Sequence, residues 1–102
     1  MRVYLSGPMS GIKNHNYKAF REYAAELRTQ GHFVFSPAEQ DVKKGWNKIK
    51  PFPRRKALGC DLKWICVKAE AIAMMPGWEH STGAVAEWAA ARAVGIEFIY
   101  LE

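Results

Sequence analysis

Short apolar stretches alternate with longer amphipathic stretches along the chain. Arg2 to Ser6 is rich in strand-forming residues and ends at Gly7-Pro8, which predicts a first strand followed by a turn. Further strands are predicted at His32 to Ser36, Ala71 to Met75 and Ile96 to Leu101. The third of these runs is almost continuously apolar, which is typical of a strand covered on both faces.

Three helices are predicted between the strands. The first follows Asn14 or Asn16 as N-cap and ends at Gly31, the second runs from about Arg54 to Lys68, and the third runs from about Thr82 to Val94 behind Ser81 as N-cap. Apolar residues recur every three or four positions in the first two: Tyr17, Phe20, Ala24 and Leu27, then Leu58, Leu62, Ile65 and Ala69. Residues 37–53, opened by Pro37, are predicted to be a long connection of the functional or mobile kind.

This order predicts a single α/β domain over residues 1–102. Strands that alternate with helices indicate a parallel sheet with right-handed crossovers. The commonest small arrangement is a flavodoxin-like three-layer sandwich whose four strands lie in the order 2-1-3-4. In that order a crevice opens at the carboxyl ends of the first and third strands, between the loops Gly7–Gly11 and Trp78–Gly83.

Charge is concentrated in one segment. The net charge is +5, yet seven of the 15 basic residues lie between Lys43 and Lys56, a stretch without acids. A solvated loop, an anion-facing lid over a phosphate, and a nucleic-acid surface that uses Trp46 and Phe52 are all compatible with this segment.

Other sequence signals limit the class of protein. No apolar run approaches the ~20 residues that span a bilayer, and the N-terminal stretch turns too early for a secretory leader. We therefore expect a cytoplasmic protein. Cys60 and Cys66 are expected to be small, buried or half-buried side chains without a disulfide, and no metal-site spacing accompanies them.

Two carboxylates are candidates for chemistry. Glu87 has small neighbours on its helix face, Ala84, Ala90 and Ala91, which leave space for a ligand beside it. Asp61 lies in the first half of the second helix, which begins at the same edge of the sheet. From the residues alone, a solvated Glu87 and a surface Asp61 paired with a lysine are the more ordinary interpretations and stay open.

Three motifs together resemble the nucleoside 2-deoxyribosyltransferase-like superfamily, including deoxynucleoside 5′-monophosphate N-glycosidases and an often phage-encoded branch. They are Tyr4-Leu5-Ser6-Gly7-Pro8-Met9-Ser10-Gly11, Asp61-Leu62-Lys63-Trp64-Ile65, and Ser81-Thr82-Gly83-Ala84-Val85-Ala86-Glu87. Their order and rough spacing hold along nearly the whole chain. The arginine that the glycosidase branch carries in its first loop is replaced here by Ser10 or Ile12.

The resemblance implies chemistry at an N-glycosidic bond. Glu87 matches the nucleophile that attacks C1′ of the deoxyribose, and Asp61 matches the acid that protonates or positions the leaving base. The predicted substrate-binding residues come from the first and third motifs: Tyr4, Gly7, Pro8, Met9, Ser10, Gly11, Ser81 and Gly83. A homodimer is expected, and no metal or organic cofactor is implied.

Two other functions fit the sequence. A non-catalytic nucleotide-binding or sensing module would keep the glycine loop and the Ser81 helix start without needing Glu87. A nucleic-acid or protein-interaction factor would act through residues 43–56, although binding of nucleic acid is the less favoured of these hypotheses because no recognised motif accompanies the charges.

Overall fold

The computed structural model describes residues 1–102 and contains four strands and four helices. In chain order they are β1 (Arg2–Ser6), α1 (Tyr17–Thr29), β2 (Phe33–Phe35), α2 (Pro37–Lys44), α3 (Arg54–Val67), β3 (Ala71–Met74), α4 (Thr82–Val94) and β4 (Glu97–Tyr100). All strand pairs are parallel and the order is β2-β1-β3-β4, which confirms the predicted small α/β sandwich. None of the four helices has both the length and the apolar character needed to traverse a bilayer.

The two faces of the sheet carry different helices. Val3 and Leu5 of β1 pack with α1 in one apolar cluster, whereas Tyr4 packs with Ile65 of α3 and Ala91 of α4 in another. Side chains alternate between the faces of a strand, so Ser6 points to the same side as Tyr4. This alternation sends two hydroxyl groups of the central strand towards α4.

The predicted long connection at residues 37–53 is wrong over its first half, which forms α2. The second strand ends before Pro37, at Phe35, and Pro37 occupies the first turn of a helix whose N-cap, Ser36, accepts a hydrogen bond from the Glu39 amide. Gly45 ends the helix in the left-handed region, at φ +74°. Because α2 has few apolar residues, the sequence shows no apolar periodicity that would indicate this helix.

Two details of the other helices also differ from expectation. Asn16 precedes α1, but its side chain donates to the Pro8 carbonyl at 3.0 Å and forms no helix cap. The fully buried positions of α3 are Ala57, Asp61 and Ile65, whereas the predicted stripe residues Leu58 and Leu62 are only half-buried. The buried stripe of α3 therefore runs through a carboxylate.

The cysteines lie on α3, and neither forms a disulfide. Cys60 is half-buried, as expected, whereas Cys66 is exposed, so its predicted burial is wrong. The buried stripe of α3 passes through the neighbouring Ile65, which turns Cys66 towards solvent.

Gly7 is required by packing at the point where β1 enters its loop. A Cβ atom there would lie 2.7 Å from the Met75 sulfur and 2.8 Å from its Cβ. Met75 is 1% exposed and has no room to withdraw. The close approach of the two chain segments fixes the loop after β1 against the end of β3.

We predict that Gly7→Ala destabilises the fold by about 1–3 kcal/mol, because the added methyl group overpacks a full core. Gly59→Ala is the matched control: Gly59 is helical, and nothing lies within 4 Å of the position that an added methyl group would take. That substitution should stabilise α3 by up to about 1 kcal/mol. Urea denaturation of the three proteins measures both effects, and equal stability of Gly7→Ala and wild type would refute the packing argument.

Candidate active site

A cavity of about 360 Å³ opens at the carboxyl edge of the sheet. Its wall is formed by the loop after β1, by α2, by the segment 52–61 that begins α3, and by the start of α4. Three carboxylates line it, Asp41, Asp61 and Glu87, and each is nearly buried. Buried titratable groups that converge on a cavity indicate a candidate site for chemistry or binding.

Glu87 is held in place by the central strand. Its two oxygens accept separate hydrogen bonds, from the Tyr4 hydroxyl at 2.8 Å and from the Ser6 hydroxyl at 2.7 Å. Tyr4 is itself fixed, since its ring stacks on Phe35 with centroids 5.5 Å apart and has no exposed surface. The interpretation of Glu87 as a solvated side chain is therefore wrong: it is 6% exposed and immobilised.

Burial raises the pKa of Glu87 to about 7, although the hydrogen bonds from Ser6 and Tyr4 lower it in part. Burial also raises the pKa of Tyr4 well above its ordinary value, with the charge of Glu87 as the next cause. The tyrosine consequently stays protonated and remains a donor. Glu87 thus ionises near neutral pH, and the hydrogen bonds from Tyr4 and Ser6 fix its orientation.

Asp61 faces the same cavity from α3. It is 6% exposed, and its Oδ1 atom is buried without any hydrogen-bond partner. Burial raises its pKa to about 8, helped by the charges of Glu87 and Asp41 and opposed by the nearby Tyr4 hydroxyl. Asp61 is buried and forms no ion pair, so the alternative of a surface charge paired with lysine is wrong. Its raised pKa favours the protonated acid at neutral pH.

Asp41 is a third carboxyl group that the sequence analysis missed. It is 3% exposed on α2, and burial alone raises its pKa to about 6. The start signals Ser36, Pro37 and Glu39 and the stop signal Gly45 would have indicated α2, and helical spacing from Pro37 would then have placed Asp41 on its buried face. Ser6 belongs to the first motif, but its role as a donor depends on the strand alternation.

The mouth of the cavity is polar and cationic. Arg54, the first residue of α3, donates to the Ser10 hydroxyl at 3.2 Å and so joins the basic segment to the loop after β1. Ser81 caps α4 by accepting from the Ala84 amide at 3.3 Å. His15 and Phe52 also line the cavity, their rings stacked with centroids 6.4 Å apart.

The structure brings most of the predicted site residues to this cavity. Besides the two predicted catalytic carboxylates, its lining includes Gly7, Met9, Ser10, Gly11, Ser81 and Gly83. Tyr4 lies behind Glu87 and outside the lining, and Pro8 lies in a neighbouring groove beside Pro76. Of the seven basic residues between Lys43 and Lys56, Arg54 alone lines the cavity, and the other six lie outside the lining.

The raised pKa of Asp61 makes stability depend on pH in a defined direction. Burial disfavours its ionised form, so the contribution of Asp61 to stability is greatest below its ordinary pKa of 3.8 and is lost as pH rises through about 8. We predict that Asp61→Asn melts at a more nearly constant temperature between about pH 5 and about pH 9 than wild type does. Glu26→Gln, a change at an exposed helix position, should keep the wild-type pH dependence; an unchanged slope in Asp61→Asn would contradict the assignment.

Comparison with known proteins gives one family. The model of a family described as a domain of unknown function (DUF4406) matches residues 1–100. No curated protein and no solved structure matches the chain significantly. Because the family match runs from β1 to β4 and includes all three carboxylates of the cavity, the chain belongs to the DUF4406 family.

Proposed function

We propose that this protein cleaves or exchanges the N-glycosidic bond of a 2′-deoxynucleoside or its 5′-monophosphate, with Glu87 as nucleophile and Asp61 as acid. The observation that carries the proposal is the pair of buried carboxyl groups at one cavity, one immobilised by two hydroxyl donors and the other unpartnered. Glycosidic bond cleavage uses such a pair, with one carboxylate stabilising or capturing the sugar cation and one acid protonating the leaving group.

The reaction has two balanced steps. The Glu87 carboxylate attacks C1′ as the C1′–N bond breaks, and the bond's electron pair leaves with the base, which takes the proton of Asp61. Water, or the nitrogen of a second base, then attacks C1′; its proton passes to Asp61 and Glu87 leaves as a carboxylate. The products of hydrolysis are the free base and 2-deoxyribose or its 5-phosphate.

The pKa values of the pair suit these roles. Glu87, with a pKa of about 7, is substantially ionised at neutral pH, while Asp61, with a pKa of about 8, keeps its proton. The ionised nucleophile and the protonated acid therefore coexist in the range between these two values. Two carboxyl groups whose environments separate their ionisation are the usual arrangement for paired acid and nucleophile.

The mouth of the cavity favours a 5′-monophosphate over a free nucleoside. The amides at the start of α4, behind Ser81, and the side chain of Arg54 line the same cavity. Helix N-termini attract anions, whereas Arg54, Arg55 and Lys56 stand in the first turn of α3, where the helix dipole disfavours cations. A bound phosphate would compensate this unfavourable placement, and Arg54 would supply the cation that the first loop lacks.

Membership of the nucleoside 2-deoxyribosyltransferase-like superfamily, assembly as a homodimer and action in the cytoplasm form part of this proposal. They rest on the three motifs of the sequence. All three motifs border the cavity, through Ser10 and Gly11 in the first, Asp61 in the second, and Ser81 and Gly83 in the third. The sheet order required for this convergence is present.

We predict that Glu87→Gln lowers the rate of base release by about a thousandfold or more, because the amide keeps the shape but loses the nucleophilic charge. The assay incubates the protein with deoxynucleosides and deoxynucleoside monophosphates and detects free base by chromatography. Glu26→Gln provides a glutamate control on the exposed surface. Undiminished release from Glu87→Gln would refute the assigned nucleophile, and binding of nucleotides without any release by wild type would indicate a sensing module instead.

We predict that Arg54→Gln lowers kcat/KM for a deoxynucleoside monophosphate about ten- to a hundredfold, since a charged hydrogen bond to phosphate is lost. The value for the corresponding nucleoside should stay unchanged. Arg55→Gln is the matched control, because Arg55 is exposed and lies outside the cavity lining. Equal losses for nucleotide and nucleoside would show that Arg54 acts on the fold and not on the phosphate.

A further inference from the structure

Asp41 has no part in the reaction steps above, yet it is buried against the reaction cavity. It reaches the wall from α2, whereas Asp61 belongs to α3 and Glu87 to α4. All three carboxyl groups line the same cavity, and the charge of Asp41 raises the pKa of the other two. A buried carboxyl group beside two others destabilises the protein without ligand, because its hydration is lost and its neighbours repel it. A bound ligand that donates a hydrogen bond to it would offset this cost.

Asp41 has no ionic partner in the protein. No salt bridge involves it, and burial raises its pKa with no opposing charge. The neighbouring Oδ1 of Asp61 is buried and unpartnered as well. The cavity is therefore lined by an Asp61 oxygen without a hydrogen-bond partner and, from another helix, by a nearly buried Asp41 without an ion pair.

Apolar residues of the cavity lining stand one helical turn before each of the two carboxyl groups. Pro37 precedes Asp41 on α2, and Ala57 and Leu58 precede Asp61 on α3, whereas Arg54 lines the cavity from the start of α3. One helix, α3, therefore carries Arg54 at the mouth and Asp61 further along, which sets the direction of a bound nucleotide. The phosphate faces the mouth, and the base faces Asp61 and Asp41.

The two carboxyl groups differ in what they offer a base. With pKa values of about 6 and about 8, Asp41 is an ionised acceptor at neutral pH and Asp61 is a protonated donor. A ring nitrogen beside an exocyclic amino group presents the complementary acceptor and donor. Adenine has this pair at N7 and N6, and cytosine has it at N3 and N4. A base with an oxo group in place of the amine would direct an oxygen at the Asp41 carboxylate.

We propose that Asp41 accepts a hydrogen bond from the exocyclic amino group of the base, so that 6-aminopurine and 4-aminopyrimidine nucleotides are preferred over their oxo counterparts. This inference rests on the proposed function. It assigns Asp41 to substrate selection and leaves bond cleavage to Glu87 and Asp61. A site built to bind an amine rejects the oxo analogue because its buried carboxylate would then lack a donor.

Matched substrate pairs test the proposal without altering the protein. The deoxynucleoside monophosphates of adenine and hypoxanthine differ at position 6 of the purine, and those of cytosine and uracil differ at position 4 of the pyrimidine. We expect kcat/KM for base release to be at least about tenfold higher for the amino member of each pair. For a purine nucleotide with hydrogen at position 6, kcat/KM should also be at least about tenfold lower than for the adenine nucleotide.

Asp41→Asn tests the residue. Its amide donates to an oxo group, so the preference for the amino member should fall at least about tenfold through a gain for the oxo substrate. Lys44→Gln, at an exposed position of the same helix, should keep the wild-type preference. Melting curves establish that both variants fold; if Asp41→Asn does not fold, the wild-type substrate pairs decide alone.

The outcomes separate this inference from the function on which it rests. Base release without preference in either pair, or an unchanged preference in Asp41→Asn, overturns the role of Asp41 and leaves the proposed cleavage intact. Absence of release from every nucleotide overturns both. Release confined to the amino members, with the preference lost in Asp41→Asn, supports both.

Discussion

The hydrogen bonds from Tyr4 and Ser6 to Glu87 join the central strand to the last helix, and the rest of the cavity depends on them. They exist because β1 alternates its side chains, so two hydroxyl groups two positions apart emerge on the same face. They hold a carboxylate in an environment that raises its pKa to about 7 instead of excluding it from the core. Without these donors, burial of Glu87 would have no local compensation, and α4 would have to turn this face towards water.

Burial of three carboxyl groups at the cavity costs the fold free energy. Asp41, Asp61 and Glu87 all have raised pKa values, with burial as the leading cause in each case. Carboxyl groups that serve only solubility lie in solvent, where no such cost arises. Functional sites are where natural proteins depart from rules of stable packing, and these three departures converge on one volume of about 360 Å³. The convergence argues for function more strongly than any one residue does.

The sheet order and the position of Glu87 beside the glycine loop could be predicted, because strand periodicity and crossover handedness are local or general constraints. The burial of Glu87 could not be decided from its own helix, since it depends on donors from β1. Asp61 was similarly ambiguous, as its neighbours in sequence indicate a stripe one position away from the buried one. Asp41 was missed because α2 has few apolar residues and is marked mainly by its terminal residues, Ser36 and Gly45.

The partners of Glu87 lie 81 and 83 positions away along the chain. Bringing such distant residues together costs loop-closure entropy, which the packing of the rest of the fold must offset. Until β1 and α4 meet, Glu87 is an ordinary solvated side chain with an ordinary acidity. The raised pKa of Glu87 is therefore a property of the completed fold. In a partly folded chain Glu87 would be present but would keep the ordinary pKa of a glutamate.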